Sequence, residues 1–163
     1  MTSHTPAPKA HISLSCDAPS FSAVGDIYTI RASGAQTGGT LTLLESRIPP
    51  GGGPPPHVHS REDESFYVLS GTITFFTKDG PVRAGPGAFV HLPRTGPHTF
   101  KNEGTSEARM LIWCSPAGFD SMIRQIGTPV PSHDSAPIPP TPDDIARVLS
   151  ICPTYGITIP VAL

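Results

Sequence analysis

His57 and His59 stand two residues apart, and Glu64 follows five residues later. In a strand, alternate side chains share a face, with Cα atoms roughly 7 Å apart. Both imidazoles can therefore reach one ion at about 2.0–2.1 Å. Glu64 lies across a tight turn and can return to the same face from the next strand. His98 is distant in sequence but follows its own corner, Pro93 to Pro97. Three neutral imidazoles and one carboxylate leave a divalent ion with a residual charge of about +1, and an octahedral ion keeps open positions for water, O₂ or a chelating substrate. This donor set accepts iron, manganese, nickel, copper, cobalt or zinc. A redox-capable ion is expected if O₂ is used, and zinc would favour non-redox chemistry.

Other polar residues compete for the same role. Glu62 and Asp63 flank Glu64 and are read as solvated turn charges. His91 lies in a strand near His98, but the intervening corner makes parity a poor guide to its direction. His4, His11 and His133 sit in polar segments. Cys114 ends an apolar strand and reads as a buried small hydrophobe rather than a reactive thiol. Phe66 and Val68 share the parity of Glu64, and Phe100 shares that of His98. Met110 and Ile112 are plausible neighbours on an adjoining strand. Together these five would make an apolar substrate pocket suited to a flat aromatic or polyketide-like molecule; plain core packing explains them equally well.

The elements that must position these residues are short strands. Phe21 to Arg31, Thr40 to Ile48, Glu64 to Ser70, Thr72 to Thr77, Pro81 to Ala84, Ala88 to Leu92, His98 to Asn102 and Ala108 to Cys114 carry strand patterns. Gly and Pro punctuate them. Short strands at even spacing point to a closed barrel or jelly roll, an all-β class. Pro49 to Pro56 cannot be an interior strand, because proline lacks the ladder N–H and fixes φ; it reads as a rigid corner leading into His57. After Ser115 the period changes. Phe119, Met122, Ile123 and Ile126 fall at helical spacing, with Gly127 as a stop. A Pro-rich connector follows. Thr141-Pro142-Asp143-Asp144 then opens a second helix with a cap, an N1 proline and first-turn acids. Its apolar face is Ile145, Val148, Leu149 and Cys152, and Pro153 ends it. The expected organisation is a loose N-terminal arm over 1–20, a barrel over 21–115, and a helical extension over 116–163 packed on the barrel.

Composition narrows the function classes. The chain has 163 residues, with 21 Pro, 16 Gly and a formal net charge of −2. No basic patch suggests nucleic acid. No apolar run is long enough to cross a bilayer, and the first twenty residues lack the apolar region of a secretory signal. The three cysteines are widely spaced and odd in number, which suits a reducing compartment rather than a disulfide framework. A cytoplasmic location is the default expectation.

The spacing of the four ligand candidates resembles the cupin superfamily. Its first motif, G-x5-H-x-H-x4-E-x6-G, is matched by Gly51, His57, His59, Glu64 and Gly71. Its second, G-x5-P-x-G-x2-H-x3-N, is matched by Gly87, Pro93, His98 and Asn102, with the inner glycine one place late at Gly96. The chain is most similar to small single-domain members resembling the quercetin 2,3-dioxygenase-like group. That similarity rests on Pro49 to Pro56 leading into His57-Val58-His59, on Glu64 to Gly71, and on the two appended helices. The resemblance implies a cupin jelly-roll β-barrel with two short C-terminal helices. It implies one divalent metal on His57, His59, Glu64 and His98, with Glu64 also accepting the proton of a substrate hydroxyl. It implies a dioxygenase acting on a phenolic, flavonol-like or polyketide-like small molecule in secondary metabolism, with O₂ as co-substrate, and a homodimer. A non-redox isomerase, dehydratase, cyclase or decarboxylase would use the same ligands, and a non-catalytic binding protein would keep them without turnover. Cupin folds host many activities, so fold alone does not choose among them.

Overall fold

The structure, a computed structural model, describes residues 9–14 and 17–160. Much of the arm expected over 1–20 lies outside the described residues, as do His4 and Cys16. Twelve strands are described: β1 (Ser20–Ala23), β2 (Asp26–Ala32), β3 (Thr42–Ile48), β4 (Val58–His59), β5 (Asp63–Ser70), β6 (Ile73–Thr77), β7 (Gly80–Ala84), β8 (Phe89–Leu92), β9 (His98–Lys101), β10 (Ala108–Ser115), β11 (Thr128–Val130) and β12 (Ile157–Thr158). Helix α1 spans Phe119–Ile126 and α2 spans Pro142–Ile151.

The strands form a seven-stranded sheet in the order β11-β1-β2-β3-β10-β5-β8, a three-stranded sheet β7-β6-β9 and a two-stranded ladder β12-β4. All the pairs are antiparallel. The two larger sheets face each other, as in a jelly roll. Their inward residues alternate cleanly: Ala108, Met110, Ile112 and Cys114 are buried along β10, whereas Arg109, Leu111 and Trp113 are not. The centre is aromatic. The Phe66 ring lies 5.0 Å from that of Phe75 and 5.7 Å from that of Phe100. On the outer face of the larger sheet, Phe89 stacks on Trp113 beside the partly exposed Tyr67 and Leu69.

The Pro49–Pro56 corner is tied to β9 rather than left loose. Gly51 N–H donates to Asn102 O, and Asn102 N–H donates to Gly52 O. The Asn102 side-chain amide donates to Ile48 O and Ser106 O, both at 2.8 Å. Gly53 has φ 131°, and a Cβ there would lie 2.1 Å from Phe100 O, so only glycine lets the corner run this close to β9. His57 is therefore not inside a strand, as its spacing had suggested; it pairs with His98 through a single antiparallel bridge.

The C-terminal segment departs from expectation in three places. Thr128–Val130, within what read as a connector, forms β11 and pairs with β1. Helix α2 keeps its expected cap, a reciprocal Thr141–Asp144 capping box with Pro142 following. Its apolar face is narrower, however: Val148 and Cys152 are buried, while Leu149 is 50% exposed. Pro153 does not end the helix outright. The chain tightens into a 3₁₀ turn over Cys152–Tyr155 and then enters β12. Proline is tolerated there because it falls in the first turn, where its missing N–H is not required. Asp120 anchors α1 to the barrel, accepting from Thr42 Oγ1 at 2.7 Å and from Gly34 N–H at 3.2 Å.

No helix among the described residues is long and apolar enough to cross a membrane.

Candidate metal centre

The four residues singled out by spacing meet at one end of the barrel interior. His57 and His98 face each other across their bridge, exchanging backbone hydrogen bonds of 2.9 and 3.0 Å. His59 sits on β4, which pairs with β12, with Ile157 opposite His59. Glu64 enters from β5, opposite Cys114 on β10 and Leu92 on β8. All four are buried, and one donor atom from each lies within 4.8 Å of all the others. Ligands bonded to one ion at about 2.1 Å stand at most about 4.2 Å apart, so small side-chain rotations bring the set to bonding distance.

The imidazoles are aimed by their far nitrogens. His57 Nδ1–H donates to Pro55 O and His98 Nδ1–H to Gly96 O, each at 2.9 Å. His59 Nδ1–H donates to Glu62 Oε2 at 3.3 Å. Each Nε2 is directed inward; that of His59 is left with a free lone pair, and that of His98 shares a proton with Glu64 Oε2 at 3.0 Å. The Nε2 atoms of His98, His59 and His57 lie 3.0, 3.6 and 4.0 Å from Glu64 Oε2. Lone pairs facing a carboxylate oxygen repel unless a cation lies among them, either a shared proton or a metal ion. His59 Nε2 is buried without a hydrogen-bond partner among the described residues. That orphaned acceptor and the hard–borderline donor set fit a divalent metal ion.

The electrostatics agree. Burial pushes the His57 pKa down to about 4, which keeps that ring neutral. Burial also opposes the charge on Glu64, but the His98 hydrogen bond and the His59 and His57 rings outweigh it and hold the carboxyl below its usual value. At His59, burial is outweighed by the Glu62 hydrogen bond and the Glu64 charge, and the ring is shifted up. Burial, reinforced by Glu64 at 3.9 Å, drives the Cys114 thiol well up, consistent with an inert core cysteine.

Two of the sequence expectations change. Glu62 is not a solvated turn charge. It is 4% exposed and accepts the proton of His59 Nδ1, the carboxylate–histidine arrangement that fixes a ligand's tautomer and direction. The tight turn at Ser60-Arg61 folds it back beneath the ring, and its position three residues beyond a ligand histidine was the available signal. Asp63 does behave as a surface charge, paired with Arg94 at 2.8 Å. His91 accepts or donates at Ser65 Oγ, 2.9 Å away and opposite it on β5, and is not among the four clustered residues.

The apolar residues expected to line a substrate pocket lie deeper. Phe66, Val68, Phe100, Met110 and Ile112 are 0–3% exposed and fill the closed core. None lines the cleft beside the histidines. That cleft, a cavity of about 60 Å³ open to solvent at its mouth, is walled instead by Tyr28, His57 and His59 on the barrel side and by Phe119, Met122 and Val148 on the helical side. Parity identified which side chains point inward but not how far along the barrel axis each lies. The Phe119 ring stands 5.8 Å from that of His59, edge to face. Sequence reasoning packed the helical extension on the barrel but did not find Tyr28.

Comparison with known proteins agrees with this geometry. The family profile described as Cupin domain matches residues 44–114. The chain is 27% identical over 107 residues to quercetin 2,3-dioxygenase of Bacillus subtilis, covering 66% of this chain and 32% of that protein. It is 24% identical over 125 residues to quercetin 2,3-dioxygenase of Aspergillus japonicus, covering 72% and 35%. The chain thus spans about a third of the length of these curated relatives. Among solved structures, the polyketide cyclase RemF from Streptomyces resistomycificus superposes with a TM-score of 0.58 at 22% identity, over 66% of this chain and 80% of that one, a likeness of fold. A jelly-roll barrel, a buried His₃Glu cluster at its open end and a Cupin domain match over residues 44–114 together make the chain resemble cupin-superfamily proteins of the quercetinase-like group.

Proposed function

We propose that this protein is a metal-dependent cupin dioxygenase acting on a phenolic, flavonol-like or polyketide-like small molecule that chelates the metal. The observation that carries the reading is the pairing of an orphaned, buried His59 Nε2 within a His₃Glu cluster with an apolar cleft directly beside it. His57, His59, Glu64 and His98 would hold the ion. When bound, that ion supplies Lewis acidity toward a hydroxyl–carbonyl group and, if redox-capable, a means of engaging O₂.

The chain's own residues supply the rest. The apolar walls at Phe119, Met122 and Val148 suit a flat ring and exclude water from it. Pro54 and Pro55 give the cleft a rigid lip, because their φ angles are fixed. Glu64 ends among the imidazoles with its carboxyl held ionised, so it can ligate and can accept a proton from an incoming hydroxyl. The two curated relatives named as quercetin 2,3-dioxygenases support the choice of a flavonol-type substrate.

A test is O₂ consumption by protein loaded in turn with iron, manganese, nickel, copper, cobalt and zinc, against a panel of flavonols and aromatic polyketides. Uptake that depends on both metal and substrate is the expected result. No uptake under any loading rejects the reading. Product formed without O₂ would assign the non-redox alternative, an isomerase, cyclase, dehydratase or decarboxylase working through the same four ligands.

A further inference from the structure

Asp26 is fully buried inside the barrel, at 0% exposure. A carboxyl in that position is costly unless its oxygens are bonded. Only one is: Tyr28 Oη donates to Asp26 Oδ2 at 3.4 Å. Asp26 Oδ1 has no hydrogen-bond partner among the described residues. The corner covers that oxygen closely, since a Cβ on Gly52 would lie 2.5 Å from it. Asp26 and Tyr28 are two apart on β2 and so share its inward face. Tyr28 stands opposite Ser46 on β3 and reaches the wall of the cleft that holds His57 and His59. A packing role would be better served by an apolar residue at position 26, so the carboxyl calls for a functional explanation.

We propose that Asp26 is a second proton acceptor of this cleft, reached through the Tyr28 hydroxyl, so that Glu64 can remain on the metal while a bound hydroxyl is deprotonated. The proposal rests on the reading of the cleft as a site for an acidic hydroxyl. The observed hydrogen bond has the right direction. Tyr28 gives its proton toward Asp26, which leaves its Oη able to accept another. In the step, the O–H bond of the bound molecule breaks and its proton joins Tyr28 Oη. The original Tyr28 O–H bond breaks and that proton joins Asp26 Oδ2. The bound molecule becomes an oxyanion, Tyr28 ends neutral, and Asp26 ends as a neutral acid; no electron is transferred. Tyr28 is the catalytic residue of the pair and Asp26 acts through it. Burial raises the Asp26 pKa to about 7, which matches a proton acceptor working near neutrality. Burial and the Asp26 and Glu64 charges drive the Tyr28 phenol well up, so it passes protons without resting as a phenolate.

The experiment has two arms on the metal-loaded full chain. In the first, kcat/KM for a flavonol is followed against pH in wild type, Asp26→Asn, Tyr28→Phe and the double variant. The expected result is an acid limb near pH 7 in wild type, lost in both single variants with a fall of about 100-fold. The double variant should be no worse than either single, because the pair acts as one unit. An unchanged limb in Asp26→Asn overturns the proposal. The second arm needs no substrate: infrared difference spectra should show a protonated-carboxyl band rising as pH falls through about 7, absent in Asp26→Asn and shifted in Tyr28→Phe. If the band is absent from wild type, the proton acceptor is rejected whatever the turnover shows. If the band behaves as expected but wild type neither binds nor turns over a flavonol, the substrate reading falls and the Asp26–Tyr28 acceptor stands.

Discussion

The barrel interior has two ends with opposite chemistry, built on the same strands. On β5, Glu64 lies among the imidazoles while Phe66 and Val68, two and four residues on, lie in dry core at 0% exposure. On β9, His98 belongs to the cluster and Phe100 to the aromatic centre. One step of two residues, about 7 Å, carries each strand from a site that needs a cation to a core that excludes polar groups. The aromatic end gives the polar end a rigid floor. The polar end is roofed by α1, α2 and β12, which are less tightly knit to the barrel and leave a cleft.

That division can be broken from either side. The largest effect is expected for His98→Ala, which should reduce bound metal from about one per chain to none by elemental analysis; retention of a full equivalent would dissolve the assignment of this end. Next, Phe66→Ala at the dry end should cost about 3–5 kcal/mol in chemical denaturation through lost transfer energy and a cavity, with the folded protein keeping its metal. Loss of metal in that variant would mean the two ends are not separable.

Asp26 is a fully buried polar group, and its effect is pH-dependent. Its folded pKa is raised to about 7, against about 3.9 in an unfolded chain. The stability it contributes is therefore full below about pH 4 and is lost as pH rises through 7. At 1.36 kcal/mol per unit, the loss between those limits is roughly 4 kcal/mol at most. Asp26→Asn should remove this slope, so its stability relative to wild type should improve from pH 4 to pH 8. A parallel pair of stability–pH curves would refute the buried assignment. The smallest effect is expected at Glu62. Glu62→Gln should weaken metal binding by about 10- to 100-fold without unfolding the chain, measured by competition with a chelator; an unchanged affinity would return Glu62 to a merely structural place in the turn.

Much of the site could be read before any coordinates. His57, His59, Glu64 and His98 are specified by local rules, namely the 49–56 and 93–97 corners and motif spacing, even though His57 sits in a bridge rather than in the strand its parity implied. These rules act over a few residues, so they survive without knowledge of the partner strands. The same holds for the α2 cap, where Thr141, Pro142 and Asp144 interact only with one another. What failed were statements about depth and cover. Phe66, Val68, Phe100, Met110 and Ile112 were correctly turned inward but sit in the sealed core rather than at the cleft. Glu62 looked like a turn charge because its burial depends on the roof above it, including Gly118, whose Cβ position would be 3.4 Å from Glu62 Oε1.

The chain's residue order was thus sufficient for the all-β barrel, for which side chains face its interior and for the four candidate ligands, since each follows from spacing along one or two neighbouring elements. Which of those inward residues lines the cleft depended on sheet stagger and on strands far apart in the chain. So did the return of β12 to cover His59, the capture of Glu62 and the burial of Asp26 behind Tyr28. Those relations are set by how separate segments stack along the barrel axis, a quantity that no local periodicity encodes.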